Sequence, residues 1–336
     1  MPAKITVLGW FEHSNTGDES YKLSFPATFK DYEFRFIDRL TPEVISTSDA
    51  FILGGGDIMA DSFLDQMSRI KKPKHIISVS ANVNVDPSKL SGFNNIFVRE
   101  KKSIDILYRK GVTASYYPDI SFALSGDKSR GRRIIKRYFE SQKRELYDKV
   151  VVVVMNGFLA DAEANSYDVR KFINFHKLAY DLGHVFDYTN ASFFFVPFGQ
   201  DMPWDDRTTN MWVAQKCKFW RKNAVLWSEP NVQNILDIFA SADATISTRL
   251  HSTIFSIATG TPFIDIVHNH KNQWMLETIN KSEHSLQYDC MDVERLKLML
   301  KSILFSDKNT FIKDVQSLKD RQKTLLRGLS NVILTS

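Results

Sequence analysis

The sequence predicts an α/β protein built as two doubly wound units, each a mostly parallel sheet covered by helices. Short apolar runs alternate with helix-length segments along nearly the whole chain, the pattern of successive β-α-β units. The run Val150–Val154 is apolar without alternation, as expected for a central parallel strand buried on both faces. Polar residues gather where strands end, the edge at which open parallel sheets take ligands.

Length and composition set the frame. A chain of 336 residues fits about two domains, and 43% apolar with 25% charged residues is ordinary for a soluble globular protein. Two cysteines, Cys217 and Cys290, argue against a disulfide framework. The start MPAKITVLGW enters a strand without the regions of a signal peptide, and no uncharged apolar run approaches the roughly 20 residues needed to cross a bilayer. The expected location is the cytoplasm, with the inner membrane face as the alternative. A net charge of +5 does not by itself call for nucleic acid.

In chain order, Lys4–Trp10 is read as the first strand, and the Thr16/Glu19 spacing as a capping box opening a helix that carries Tyr21, Leu23 and Phe25. Strands follow at Tyr32–Ile37 and Ala50–Leu53, the latter running into Gly54, Gly55, Gly56 and Asp57. Three glycines there strip side chains from one point, so the backbone N–H groups can form an anion-binding nest. A helix Ser62–Ile70 and a strand His75–Ser80 precede Ile96–Val98, which ends in Arg99 and Glu100 before a helix starting near Ser103. Arg99 reads equally well as an anion grip or as half of a surface ion pair with Glu100. Ala114–Tyr117 and an acidic turn at Asp119 close a first domain, residues 1–125.

Residues 126–148 are polar and strongly basic and are read as the linker. Their bland reading is a solvated helix with Glu140 and Glu145 among the basic residues; the sharper one is an electropositive patch for phosphates or an anionic polymer. The second domain, 149–310, continues with helix Val169–Leu182, strand Phe193–Pro197, helix Asp206–Lys216, strand Ala224–Leu226 and helix Val232–Ala240. Asp201 and Glu229 fall in loops at its ligand edge and read as caps or site residues. A terminal amphipathic helix in 311–336 is long enough to cross back onto the first domain.

The richest stretch is Ala244–Lys271. A strand stops at Thr248, Arg249, Leu250, His251 and Ser252, an apolar helix runs to Gly260, and a second strand delivers His268, His270 and Lys271. Arginine at a helix start grips phosphate or carboxylate through paired hydrogen bonds, and histidine moves protons near neutral pH. No cluster has metal-ligand spacing.

Several of these segments, in order, resemble the polysaccharide pyruvyl transferase family. NTGDES at 15–20 is similar to its N-x-G-D segment, GGGD at 54–57 to its glycine turn, VREKKS at 98–103 to its V-R-D segment, and PDISFAL at 118–124 to the strand closing its first domain. SADATISTRLHSTIFSIATGTPFIDI resembles its R-L-H block. Glu100 stands where the family has aspartate, and HNHK at 268–271 replaces D-P-K. The resemblance implies two Rossmann-like domains in a GT-B-type arrangement. It further implies transfer of a 1-carboxyethylidene group from phosphoenolpyruvate to two hydroxyls of a sugar, with phosphoenolpyruvate as co-substrate and no bound cofactor. The acceptor is a sugar or glycan, free, lipid-linked or nucleotide-linked. It implies His251 and Arg249 as catalytic residues and Arg99, Leu250, Ser252 and Lys271 at the donor. Asn15, Gly17, Asp18, Gly54, Gly55, Gly56 and Asp57 complete the binding surface on the acceptor side. The alternatives are a nucleotide-sugar glycosyltransferase of the same fold and an inert carbohydrate-binding relative, because fold alone does not fix function; nucleic-acid binding through 128–149 ranks below both.

Overall fold

The computed structural model describes residues 2–157, 159, 169–200, 205–228, 231–306 and 310–335; Asp201 and Glu229 lie outside them. Two six-stranded sheets, parallel throughout, form the two units. In the first the strands are β1 (Ala3–Leu8), β2 (Tyr32–Ile37), β3 (Ala50–Gly56), β4 (Lys74–Val79), β5 (Asn95–Val98) and β6 (Ser115–Tyr116), in spatial order β2-β1-β3-β4-β5-β6. The second contains β7 (Val150–Val154), β8 (Ser192–Phe195), β9 (Asn223–Val225), β10 (Ala244–Ser247), β11 (Phe263–Val267) and β12 (Ser285–Gln287), in order β12-β11-β10-β7-β8-β9.

Those orders place the sites. The direction of winding reverses between β1 and β3 in the first sheet and between β7 and β10 in the second. At such a switch point the adjoining loops diverge and leave a crevice beyond the carboxyl ends of the strands. The two crevices face each other, and the loops after β1, β3, β7 and β10 that frame them are joined around the cleft by those after β5, β8 and β11.

Local chemistry explains most elements. β7 is fully buried, as its unbroken valines require. The helix Leu250–Thr259 ends at Gly260, whose φ of 82° is the left-handed geometry that glycine adopts without penalty. The first helix differs from expectation. Asn15, not Thr16, is the cap, accepting from Gly17 N, while Glu19 reaches Glu12 N and Lys22. The glycine run also differs, since pairing with β4 continues β3 through Gly56 and the triplet is strand rather than nest. A short helix Pro42–Thr47, capped by Thr41, has no counterpart in the sequence reading.

The basic stretch 126–148 contains a helix, Lys128–Ser141, packed on the helix Val232–Ser241. A Cβ at Gly126 or Gly131 would overlap the Leu236 or Asp237 carbonyl, so the glycines let the two backbones touch. Buried Asp237 accepts from Asp127 N and pairs with Arg130 at 3.2 Å. The stretch read as a linker is thus part of the second unit's wall. The terminal helix Thr310–Leu329 crosses to the first unit, and Leu334 bonds Tyr32 and His75. One apolar cluster runs through both units, including Phe25, Phe122, Phe198, Phe255 and Leu318. Each ring buried there contributes roughly 1.5–3 kcal/mol.

Candidate active site

A cavity of about 170 Å³ opens between the units, lined by Asn15, Asp18, Gly56, Asp57 and Arg99 from the first and by Asn156, Phe198, Thr248–His251, Asn269, Lys271 and Asn272 from the second. The loops meet directly, with Thr16 N donating to Phe198 O at 2.7 Å and Asn15 bridging Gly199.

Three cations enter this space, each with a carboxylate behind it. Arg249 turns its Nε and Nη2 onto Asp206, Nε at 3.1 Å from Oδ2 and Nη2 on Oδ1. Asp206 is fully buried and also accepts from Gly157, Phe198 and Gly199 N–H groups. A carboxylate so anchored fixes the guanidinium, leaving its Nη1 edge for a ligand. Arg99, with its side chain 4% exposed, donates Nε to Ser80 and Nη1 to Tyr21 and Asp119. It is no surface ion pair; although burial opposes its charge, Tyr21, Asp119 and Glu100 hold its pKa above the ordinary value. Lys271 pairs with Asp57 at 2.5 Å across the cleft, and here both side chains remain open to solvent.

His251 reaches across to the first unit. Its Nε2 lies 3.1 Å from the Tyr21 hydroxyl, which donates to Asp119 Oδ2 at 2.6 Å. With the one hydroxyl proton pointing at the carboxylate, the tautomer that carries its proton on Nε2 suits this geometry, and it leaves Nδ1 as the basic nitrogen. Nδ1 lies against Gly17, where a Cβ would overlap it. Burial pulls the His251 pKa down to about 4, assisted by Arg99, Arg249 and Lys271 and opposed by Asp119. Asp18 is shifted oppositely, pushed up to about 7 by burial against the same three cations. Its Oδ2 accepts from Asn15 at 2.6 Å.

The predicted residues divide. Asn15, Asp18, Gly56, Asp57, Arg99, Arg249, Leu250, His251 and Lys271 line the cavity. Gly17, Gly54 and Gly55 do not line it but make room, Gly17 for His251 and Gly55, at φ 87°, for the Tyr21 ring. Gly56 N donates to the Tyr21 hydroxyl, which takes it out of any anion nest. Ser252 is fully buried outside the lining, its hydroxyl without a partner among the described residues. Tyr21, Asp119 and Asp206 are the participants that sequence reasoning missed as site residues. A usable signal existed for Asp206: Asp205 already caps that helix, so a second aspartate was surplus to capping.

Two facing Rossmann-like units with the site between them define a GT-B fold, and solved structures agree. A UDP-glucosyltransferase from Polygonum tinctorium superimposes with a TM-score of 0.53 at 8% identity, covering 98% of both chains. UDP-GlcNAc 2-epimerase from Neisseria meningitidis gives 0.55 at 8% identity, covering 97% of this chain and 99% of its own. At such identities the likeness is one of fold. The chain belongs to the polysaccharide pyruvyl transferase family, whose profile matches residues 6–270. No curated protein matches the sequence. No described helix is long and apolar enough to cross a membrane.

Proposed function

We propose that the protein transfers a 1-carboxyethylidene group from phosphoenolpyruvate to two hydroxyls of a sugar, releasing phosphate. The observation that carries this reading is the convergence of Arg99, Arg249 and Lys271 on one small cavity that Asp18 and His251 also line. Phosphoenolpyruvate carries about three negative charges, which buried fixed cations stabilise strongly. Lys271 is the cation freed most readily, since its Asp57 pair is solvent-exposed and weak.

Opposed pKa shifts assign the proton chemistry. Between about pH 4 and about pH 7 Asp18 holds its proton and His251 does not. Asp18 protonates the methylene carbon, converting it to methyl and leaving positive charge on the neighbouring carbon. A sugar hydroxyl attacks that carbon and gives its proton to His251 Nδ1. The C–O bond to phosphate then breaks, the second hydroxyl attacks the same carbon, and its proton leaves with phosphate. The first hydroxyl proton restores Asp18, so one diol and one phosphoenolpyruvate yield one ketal and one phosphate. Tyr21 and Asp119 do not touch the reacting atoms; they hold the imidazole in the tautomer that the step needs.

Thermal shift separates this reading from a nucleotide-sugar enzyme. Phosphoenolpyruvate at saturating concentration raises the unfolding temperature and a nucleoside diphosphate does not; the reverse pattern would replace this reading with the nucleotide-sugar one.

A further inference from the structure

A larger cavity, of about 540 Å³, lies on the second unit along its edge strand β9, beside the helices Lys128–Ser141 and Asp206–Gln215. That volume is ample for a sugar-sized ligand. Trp220 and Trp227 line it and are 51% and 48% exposed. Exposed indoles offer rigid, flat apolar faces with a polar edge, suited to the C–H faces of sugar rings.

Gln142 is bonded at both ends of its carboxamide to Val225, but two other polar groups of the groove are short of partners among the described residues. The Arg144 guanidinium lies over the Trp220 ring, 4.0 Å from its centroid. Among the described residues its Nε is buried without a hydrogen-bond partner, and no carboxylate forms an ion pair with it. Burial accordingly holds its pKa below the ordinary value. Asn223, 5% exposed, finds no oxygen or nitrogen partner for its carboxamide among the described residues, only the weak Cys217 thiol. Burying such groups costs free energy that a complementary ligand returns.

The groove is tied to the cleft. The helix that begins at Asp206, the anchor of Arg249, reaches the groove at Ala214 and Gln215, roughly 13 Å along. Arg207 donates to Trp227 O at 3.4 Å, and Gln200, beside the Gly199 that bridges Asn15, donates to Ser228 O at 3.2 Å.

We propose that this groove binds an acidic glycan, namely a sugar unit that already carries the carboxyethylidene ketal. The indoles take the sugar faces, Arg144 takes the ketal carboxylate, and Asn223 takes a hydroxyl. The inference rests on the pyruvyl-transfer reading, because that reaction is what places a carboxylate on an otherwise neutral sugar. A modified unit held here keeps the polymer on the enzyme while the next unit enters the cleft. Phe219, Lys218 and Arg221, all exposed nearby, make an anionic membrane the competing occupant.

The test is equilibrium binding to the full chain, read by isothermal titration calorimetry. The probes are carboxyethylidene ketals of a galactoside and a mannoside, their methyl esters, the parent glycosides, and vesicles of anionic phospholipid. At least one ketal acid is expected to bind about tenfold or more tightly than its ester. Arg144→Gln abolishes that preference and Trp220→Ala the binding, while both variants melt near the wild-type temperature and keep wild-type turnover on a monosaccharide acceptor. Equal binding of acid and ester, or undiminished preference in Arg144→Gln, overturns the proposal. So does vesicle binding that Trp220→Ala removes with no ketal binding beside it. Binding is read without turnover, so a wild-type protein inactive with phosphoenolpyruvate would sink the transfer reading separately.

Discussion

The two faces of the cleft solve one problem differently. On the first unit, Arg99 sits inside a closed network of Ser80, Tyr21 and Asp119, with a side chain 4% exposed. On the second, Arg249 leans on one carboxylate, Asp206, and its free edge faces the cavity. The first face is therefore a fixed wall whose positive charge is set internally, and in the proposed reading the second supplies the guanidinium edge that bonds the ligand. The contrast teaches that a cation's place in a motif says little about how free its charge is; the groups behind it decide that.

The largest effect is expected at the single anchor of the gripping face. Asp206→Ala removes the partner of Arg249 and the acceptor of three backbone N–H groups, which destabilises the fold by about 3–5 kcal/mol, measurable by urea unfolding. Loss below about 1 kcal/mol would mean that Arg249 is not held from behind. Next comes Gly17→Ala, whose Cβ overlaps His251 Nδ1; displacing the base lowers kcat by about 100-fold with little change in unfolding temperature. Tyr21→Phe deletes the hydroxyl between His251 and Asp119 and costs about 1–2 kcal/mol. It also moves the acidic limb of the rate profile, which a merely structural tyrosine would leave in place. Lys271→Met breaks only an exposed pair, so stability changes by less than about 1 kcal/mol while KM for phosphoenolpyruvate rises.

The pH dependence follows from the two buried groups. In the proposed mechanism His251 can serve as base only above about pH 4 and Asp18 as acid only below about pH 7. The profile of kcat/KM is then a bell between those values. Its alkaline limb disappears in Asp18→Asn and its acidic limb in His251→Gln, on whatever activity each retains; unchanged limbs would reverse the assignment.

Much of this fold was legible because its causes are local. Tyr32–Ile37, Val150–Val154, Ala244–Ser247 and the Gly260 stop announce themselves through apolar runs and a residue that tolerates positive φ. Arg249 and Lys271 stood out by their positions after strands, whereas Arg99 read equally well as half of a surface ion pair with Glu100. Tyr21, Asp119 and Asp206 were not, because their roles arise from pairing over long sequence separations, 230 residues between Tyr21 and His251 and 43 between Asp206 and Arg249. In the sequence they look like an apolar-face tyrosine, a turn aspartate and a helix start. The glycine triplet misled for a related reason. What approaches its backbone is the protein's own Tyr21 and Asp18, so the space they occupy was mistaken for ligand space.

The central claim is the transfer itself, and mass spectrometry of sugars incubated with the protein and phosphoenolpyruvate tests it most directly. The predicted result is a sugar gaining one carboxyethylidene group for each phosphate released, with neither product formed by Arg249→Ala or His251→Ala. Phosphate-free incubations with no adduct on any sugar of a broad acceptor panel, or an adduct that persists at the wild-type rate in His251→Ala, would contradict it.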